Sequence, residues 1–132
     1  DGKTFTTTST TGTPIALLDF TNLKAVAWWQ QEVAKVLDLG FDGFMHDFGE
    51  EVLAGMHFAD GETGLTMHNR YIDLYMQATR EELTRYQHQH PNRHLWFFNR
   101  AGFTGSARYE GGNFPGDEST DWSQAAETVL TF

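Results

Sequence analysis

Apolar residues recur along this chain with two periods. Short apolar runs at Pro14–Phe20, at 40–46 and at 94–98 are bounded by Gly, Asn or Pro and read as strands. Between them the spacing turns helical. Leu23, Val26, Val33, Val36 and Leu37, with Trp28 and Trp29 adding bulk, predict a helix over 22–39. Thr21 or Asn22 offers its N-cap, and Gly40 is suited to the left-handed residue that follows its last turn. Tyr71, Leu74, Tyr75, Ala78, Leu83 and Tyr86 predict a second helix from about His68 to His90, stopped by Pro91. Trp122–Phe132 begins a third. Residues 1–13, rich in Thr, Gly and Ser, read as an irregular or edge segment, 51–66 as a loop, and Asn113–Pro115 as a short strand.

Strands alternating with helices predict a parallel sheet covered by helices, the α/β class. The predicted strands end near polar residues with chemistry: Asp19, Asp47, Arg100 and Asp117. Reactive groups gathered at strand C-termini mark the mouth of a (β/α)8 TIM barrel, which takes about 250 residues. A chain of 132 residues holds about half of one.

The stretch Gly40–Glu51 concentrates that chemistry. Its apolar run stops on Asp47, and Glu50 and Glu51 follow. Gly112–Glu118 has the same build around Asp117. In an alternating fold the two acids fall two strands apart on one rim, with Arg100 between them. Paired rim carboxylates suit glycoside cleavage: one attacks the anomeric carbon or activates water, the other protonates the leaving oxygen. Arg100 would favour the ionised form of a neighbouring acid and contact a sugar hydroxyl. Phe48, Phe103, Phe114 and Trp122 offer apolar faces to a sugar ring. Other roles compete. An Asp after a strand is commonly a cap or loop acid, and Ser119 and Asp121 read as caps for the helix at Trp122. Asp19 stands between a rim residue and a cap. Strand alternation turns His46 away from Asp47, toward a covering helix. His88, His90 and His94 fit no standard metal-ligand spacing.

Charge and composition narrow the partners. Eighteen acids against nine Lys and Arg give a net charge of −9, which argues against nucleic acid or an anionic membrane as partner. With no Cys there is neither a disulfide framework nor a thiolate site. The start at Asp1 lacks both a Met and the features of a signal peptide, which reads as a chain cut from something longer.

Four segments, taken together, resemble one known family. Gly43-Phe44-Met45-His46-Asp47-Phe48-Gly49-Glu50 resembles the nucleophile segment of glycoside hydrolase family 31, in the branch whose motif reads Asp-Phe-Gly-Glu, as in sulfoquinovosidases and related α-glucosidase-like enzymes. Asn99–Ser106 resembles the Arg-containing strand end, Gly116–Trp122 the acid/base segment, and Asp19–Asn22 with Trp28-Trp29 the preceding strand and helix. The resemblance implies that residues 1–132 are a fragment of a single (β/α)8 glycosidase catalytic domain, roughly its third to sixth strands. It implies a retaining α-glycoside hydrolase, α-glucosidase-like, with Asp47 as nucleophile and Asp117 as acid/base. Arg100, Glu50, Phe48, Phe114 and Trp122 would bind or support the substrate, with no cofactor and no metal. Sulfoquinovoside is the alternative substrate. A catalytically inert fragment that binds sugar, or needs a partner chain, is the alternative of another kind. His46 departs from the family pattern, which favours an apolar or small polar residue there. Missing strands would leave open edges and apolar faces, so the piece is expected to need the rest of the barrel or to self-associate.

Overall fold

The structure, a computed structural model, describes residues 4–8 and 12–131. The first helix starts where the sequence places it. The Asn22 side chain accepts a hydrogen bond from the Lys24 amide at 3.0 Å, and α1 runs Leu23–Asp38. Gly40 then takes φ 97°, and its N–H returns to the Leu37 carbonyl at 3.0 Å. The chain turns into β3 (Gly43–His46), crosses through α2 (Gly64–Gln89) and returns as β4 (Trp96–Asn99), parallel to β3. This is one βαβ unit, with α1 packed beside α2.

The register pairs Gly43 with Trp96, Phe44 with Phe97, Met45 with Phe98 and His46 with Asn99. Phe44, His46, Phe97 and Asn99 therefore share the face turned to the helices. Phe97, His46 and Asn99 are buried there. Val33 and Leu37 of α1 and Ile72, Met76, Leu83 and Tyr86 of α2 complete that core with Leu95 and Phe97. Each large side chain so buried stabilises the fold by roughly 1.5–3 kcal/mol. A second cluster, Phe20, Val52, Met56, Met67, Tyr71 and Ala78, seats the loop before α2 on its first turns. The opposite face of β3–β4 carries Met45 and Trp96, both exposed. Gly43 is required opposite Trp96, since a Cβ there would lie 2.8 Å from the indole nitrogen.

Several predicted elements change. Of the strand expected over Pro14–Phe20, only β2 (Pro14–Ile15) forms, and it pairs antiparallel with β1 (Thr7–Thr8). The remainder exchanges sheet bonds for side-chain bonds: the Leu18 carbonyl accepts from the Tyr71 hydroxyl at 2.9 Å, and Phe20 is buried. The predicted edge segment falls partly on 1–3 and 9–11, outside the described residues, as does Phe132. The helix expected from about His68 begins at Gly64, because its first turn buries Met67. Gly64 is no loop residue: a Cβ there would sit 1.8 Å from the Leu53 carbonyl oxygen. The short strand at Asn113–Pro115 reduces to a parallel bridge between Asn99 and Asn113. The described residues form no closed barrel.

Arg93 fastens the end of the unit opposite the strand tips. Its guanidinium donates to Asp42 Oδ1 at 2.7 Å, the Leu37 carbonyl at 2.8 Å and the Phe41 carbonyl at 2.7 Å, and lies over the Tyr86 ring. One fork thus ties the turn before β3 to the turn before β4. Arg93→Ala is expected to lower unfolding stability by about 2–3 kcal/mol. Arg93→Lys should recover little of it, because an ammonium cannot match the planar fork. Urea titration of the three proteins measures both.

Candidate active site

Asp47 follows the last residue of β3, and Arg100 the last residue of β4. By strand parity both lie on the face carrying Met45 and Phe98, not on the helix face. Arg100 reaches back across the strand ends. Its Nε and Nη2 donate to the two oxygens of Glu50 at 2.9 and 3.1 Å, and its Nη1 lies 3.3 Å from Asp47 Oδ1. A fork that grips one carboxylate with two parallel bonds is rigid and directional. Burial alone would raise the Glu50 carboxyl, but the hydrogen bonds and charge of Arg100 outweigh it and hold Glu50 below its ordinary value. Glu50 in turn keeps Arg100 protonated.

The turn after Asp47 makes this reach possible. Phe48 has φ 64°, the one positive φ outside glycine among the described residues, and Gly49 follows with φ 114°. Two left-handed residues in succession reverse the chain and bring Glu50 beneath Arg100. The Phe48 amide donates to Asp47 Oδ1 at 2.9 Å, and the Phe48 ring lies 4.8 Å under the guanidinium. A shallow pocket of about 220 Å³ opens beside Asp47 and Phe48, walled by Leu17, Phe20, Trp28, Trp29, Tyr71 and Tyr75.

The third strand position carries the second acid. Asn99 N–H donates to the Gly112 carbonyl at 3.1 Å, and Phe114 N–H donates to the Asn99 carbonyl at 2.9 Å. The order across the rim is therefore β3, β4, then 112–114, with Arg100 on the middle strand. Beyond Pro115 the loop crosses the Arg100 stem: a Cβ on Gly116 would lie 3.4 Å from Arg100 Cδ. Asp117 comes next, exposed, with no hydrogen bond or ion pair among the described residues. Phe114 is half-buried and meets Phe98 edge-on at 5.7 Å. Trp122 opens α3 (Trp122–Thr131), 91% exposed and without a ring contact among the described residues. Phe103 is exposed too, on the loop after β4.

Other readings resolve. Asp121 caps α3, its Oδ1 accepting from the Gln124 amide at 3.0 Å, and Ser119 bonds Asp121 at 2.5 Å. Asp19 is not the cap of α1. Asn22 caps α1, while Asp19 accepts from Thr21 and from the Ala59 amide at 2.8 Å, pinning the loop before α2. No three His, Asp or Glu side chains converge as metal ligands among the described residues. His46 is 1% exposed and packs against α2 as alternation predicts. Tyr75 has a further role that an aromatic stripe does not announce: its hydroxyl donates to the Asp47 carbonyl at 3.4 Å.

The site's surroundings make its stability acid-sensitive. Burial lowers the His46 pKa from 6.5 to about 3. The unfolded chain therefore binds a proton at His46 near pH 6.5 that the folded chain refuses until about pH 3. Stability from this residue is complete above the upper value and falls as pH drops through that window, by up to about 1.4 kcal/mol per pH unit. The difference in unfolding free energy between His46→Gln and the parent should shift by nearly that amount per pH unit between pH 6 and pH 4, with the parent losing more. Urea titrations at the two pH values measure it.

Comparisons with known proteins show the family and the fold. Residues 1–131 match the description "Glycosyl hydrolases family 31 TIM-barrel domain". The sulfoquinovosidase of Escherichia coli K12 is 33% identical over 108 residues, covering 81% of this chain and 16% of that protein. Among solved structures, a sulfoquinovosidase of this family from E. rectale, in complex with an aza-sugar inhibitor, superposes with a TM-score of 0.79 at 26% identity, covering 91% of this chain and 18% of that one. A Flavobacterium johnsoniae dextranase complexed with glucose gives a TM-score of 0.76 at 26% identity, over 95% of this chain and 16% of that one. The chain thus spans less than a fifth of the length of these relatives.

Proposed function

The chain belongs to glycosyl hydrolase family 31, and on that premise we propose that it carries the two catalytic acids of a retaining α-glycoside hydrolase, on roughly the third to sixth strands of a TIM barrel. Asp47 is the nucleophile. Its carboxylate attacks the anomeric carbon and forms a β-glycosyl-enzyme ester while the aglycone oxygen leaves. Asp117 gives that oxygen a proton, then takes one from the water that hydrolyses the ester, and the sugar leaves with its α configuration retained. The observation that carries the reading is the clamp of Arg100 on Glu50 and Asp47 at two adjacent strand ends. It holds the Asp47 carboxylate aimed from the rim while leaving Oδ2 without a protein donor among the described residues. The loop of Asp117 crosses the aliphatic stem of the same Arg100. Retention calls for carboxyls about 5–5.5 Å apart.

Arg100, Glu50, Phe48, Phe114 and Trp122 are proposed to line or support the sugar subsite. An uncharged α-glucoside-like sugar suits the site. Arg100 faces three carboxylates, Asp47, Glu50 and Glu51, and its fork is taken by Glu50. A sulfonated sugar would need a cation from beyond the described residues. The likeness to sulfoquinovosidases keeps that substrate as the second reading.

The test is hydrolysis of an aryl α-glucoside and an aryl α-sulfoquinovoside by the gene product that contains this chain, and by the 132-residue chain alone. Activity should vanish in Asp47→Ala, and the preferred substrate names the sugar. In Asp117→Ala, glycosides with poor leaving groups should slow by about 10²–10⁴-fold. An activated aryl glycoside should instead turn over on addition of azide, yielding the α-glycosyl azide. Full activity in either variant overturns the assignment of that residue. Activity of the longer gene product without activity of the folded 132-residue chain would show that the catalytic unit needs the remaining strands.

A further inference from the structure

Asp47 lies one residue beyond the last ladder pair, His46 with Asn99. Asp47 thus stands just past the paired residues, where α2 also reaches the chain. Tyr75 donates its hydroxyl hydrogen to the Asp47 carbonyl at 3.4 Å. One helical turn further, on the same face of α2, the Thr79 hydroxyl meets His46 Nε2 at 2.9 Å. Both contacts come from a helix that is itself fixed by the core, so they set the main chain on each side of the Asp47 Cα.

The Thr79 hydroxyl is fully buried and serves three groups. Trp29 Nε1 donates to it at 2.8 Å, it lies 3.2 Å from the Tyr75 carbonyl, and it faces His46. A hydroxyl has one hydrogen to give. The Trp29 indole can only donate, and the Tyr75 carbonyl can only accept. If the Thr79 hydrogen goes to that carbonyl, His46 must donate from Nε2, which leaves Nδ1 as a bare acceptor. Nδ1 is indeed buried without a partner. The reverse arrangement would strand an N–H donor in the core, the more costly choice. The ring has little room to turn: its centroid lies 3.4 Å from that of Tyr75 and 5.0 Å from that of Phe97.

We propose that His46, held through Thr79, is a positioning residue for Asp47, and that Tyr75 shares the task from the carbonyl side. The inference rests on Asp47 as nucleophile. An imidazole reaches from the strand to a helix hydroxyl where a small side chain would not.

The experiment uses the gene product that contains this chain, with Thr79→Val and Thr79→Ser, each checked for folding by circular dichroism. Val keeps the shape and removes the hydroxyl; Ser keeps the hydroxyl. A carboxylate displaced by a fraction of an ångström to an ångström costs about 10–100-fold in rate. The expected result is that loss in kcat for Thr79→Val, with KM within about twofold, and recovery in Thr79→Ser. An unchanged kcat in folded Thr79→Val, or equal losses in both variants, overturns the proposal. Should Thr79→Val fail to fold, imidazole nitrogen NMR of the parent decides. A protonated Nε2 and a bare Nδ1 on His46 support the proposal, and the opposite tautomer overturns it. Asp47→Ala is run in parallel. If that variant retains activity, the nucleophile reading has failed, which is a separate outcome from a null result at Thr79.

Discussion

Four residues of parallel ladder between β3 and β4 decide where Asp47 and Arg100 point. Side chains on a strand alternate, so a slip of one residue would exchange the two faces. In the observed register Asp47 and Arg100 share the open face, while His46 and Asn99 share the helix face. A slip would set His46 beside Arg100 and bury a carboxylate against α2. The ladder is too short to hold its register by itself. Arg93 fixes one end by gripping the turns that lead into both strands, and α2 fixes the other through Tyr75 and Thr79. Gly43 contributes by admitting the Trp96 indole across the pair.

The rim is an electrostatic assembly with more acid than base. Glu50 takes the fork of Arg100, and Asp47 meets the remaining nitrogen. This order leaves Asp47 less encumbered than Glu50, as the proposed attack on carbon would require. The aromatic ring of Phe48 under the guanidinium adds an orienting contact without adding charge. The same surplus of acid sets the site against anionic ligands unless other segments bring cations to it.

Much of this was legible in the sequence where the controlling physics is local. Asn22, Gly40 and Pro91 act on the chain within a few residues of themselves, and they bracket the two long helices to within a few residues. Period-two alternation was enough to turn His46 inward and Asp47 outward. Where the controlling contact is distant, the pattern misled. Gly64 resembles loop punctuation, yet its lack of a side chain answers to the Leu53 carbonyl. The Pro14–Phe20 run has a strand's composition, but Tyr71 takes up the backbone oxygen that a ladder would use. Tyr75 belongs to a stripe that reads as core, and only the point at which β3 stops gives its hydroxyl a partner.

Phe48 carries a consequence for anyone who would redesign this site. A left-handed backbone costs an ordinary side chain about 1–2 kcal/mol, which Gly or Asn would largely avoid. Selection for thermal tolerance should therefore drift toward those two at position 48 and never toward Val, Ile or Thr. The same replacements strip the aromatic plane from beneath Arg100. A library screened for heat resistance and one screened for turnover would part company at this one position.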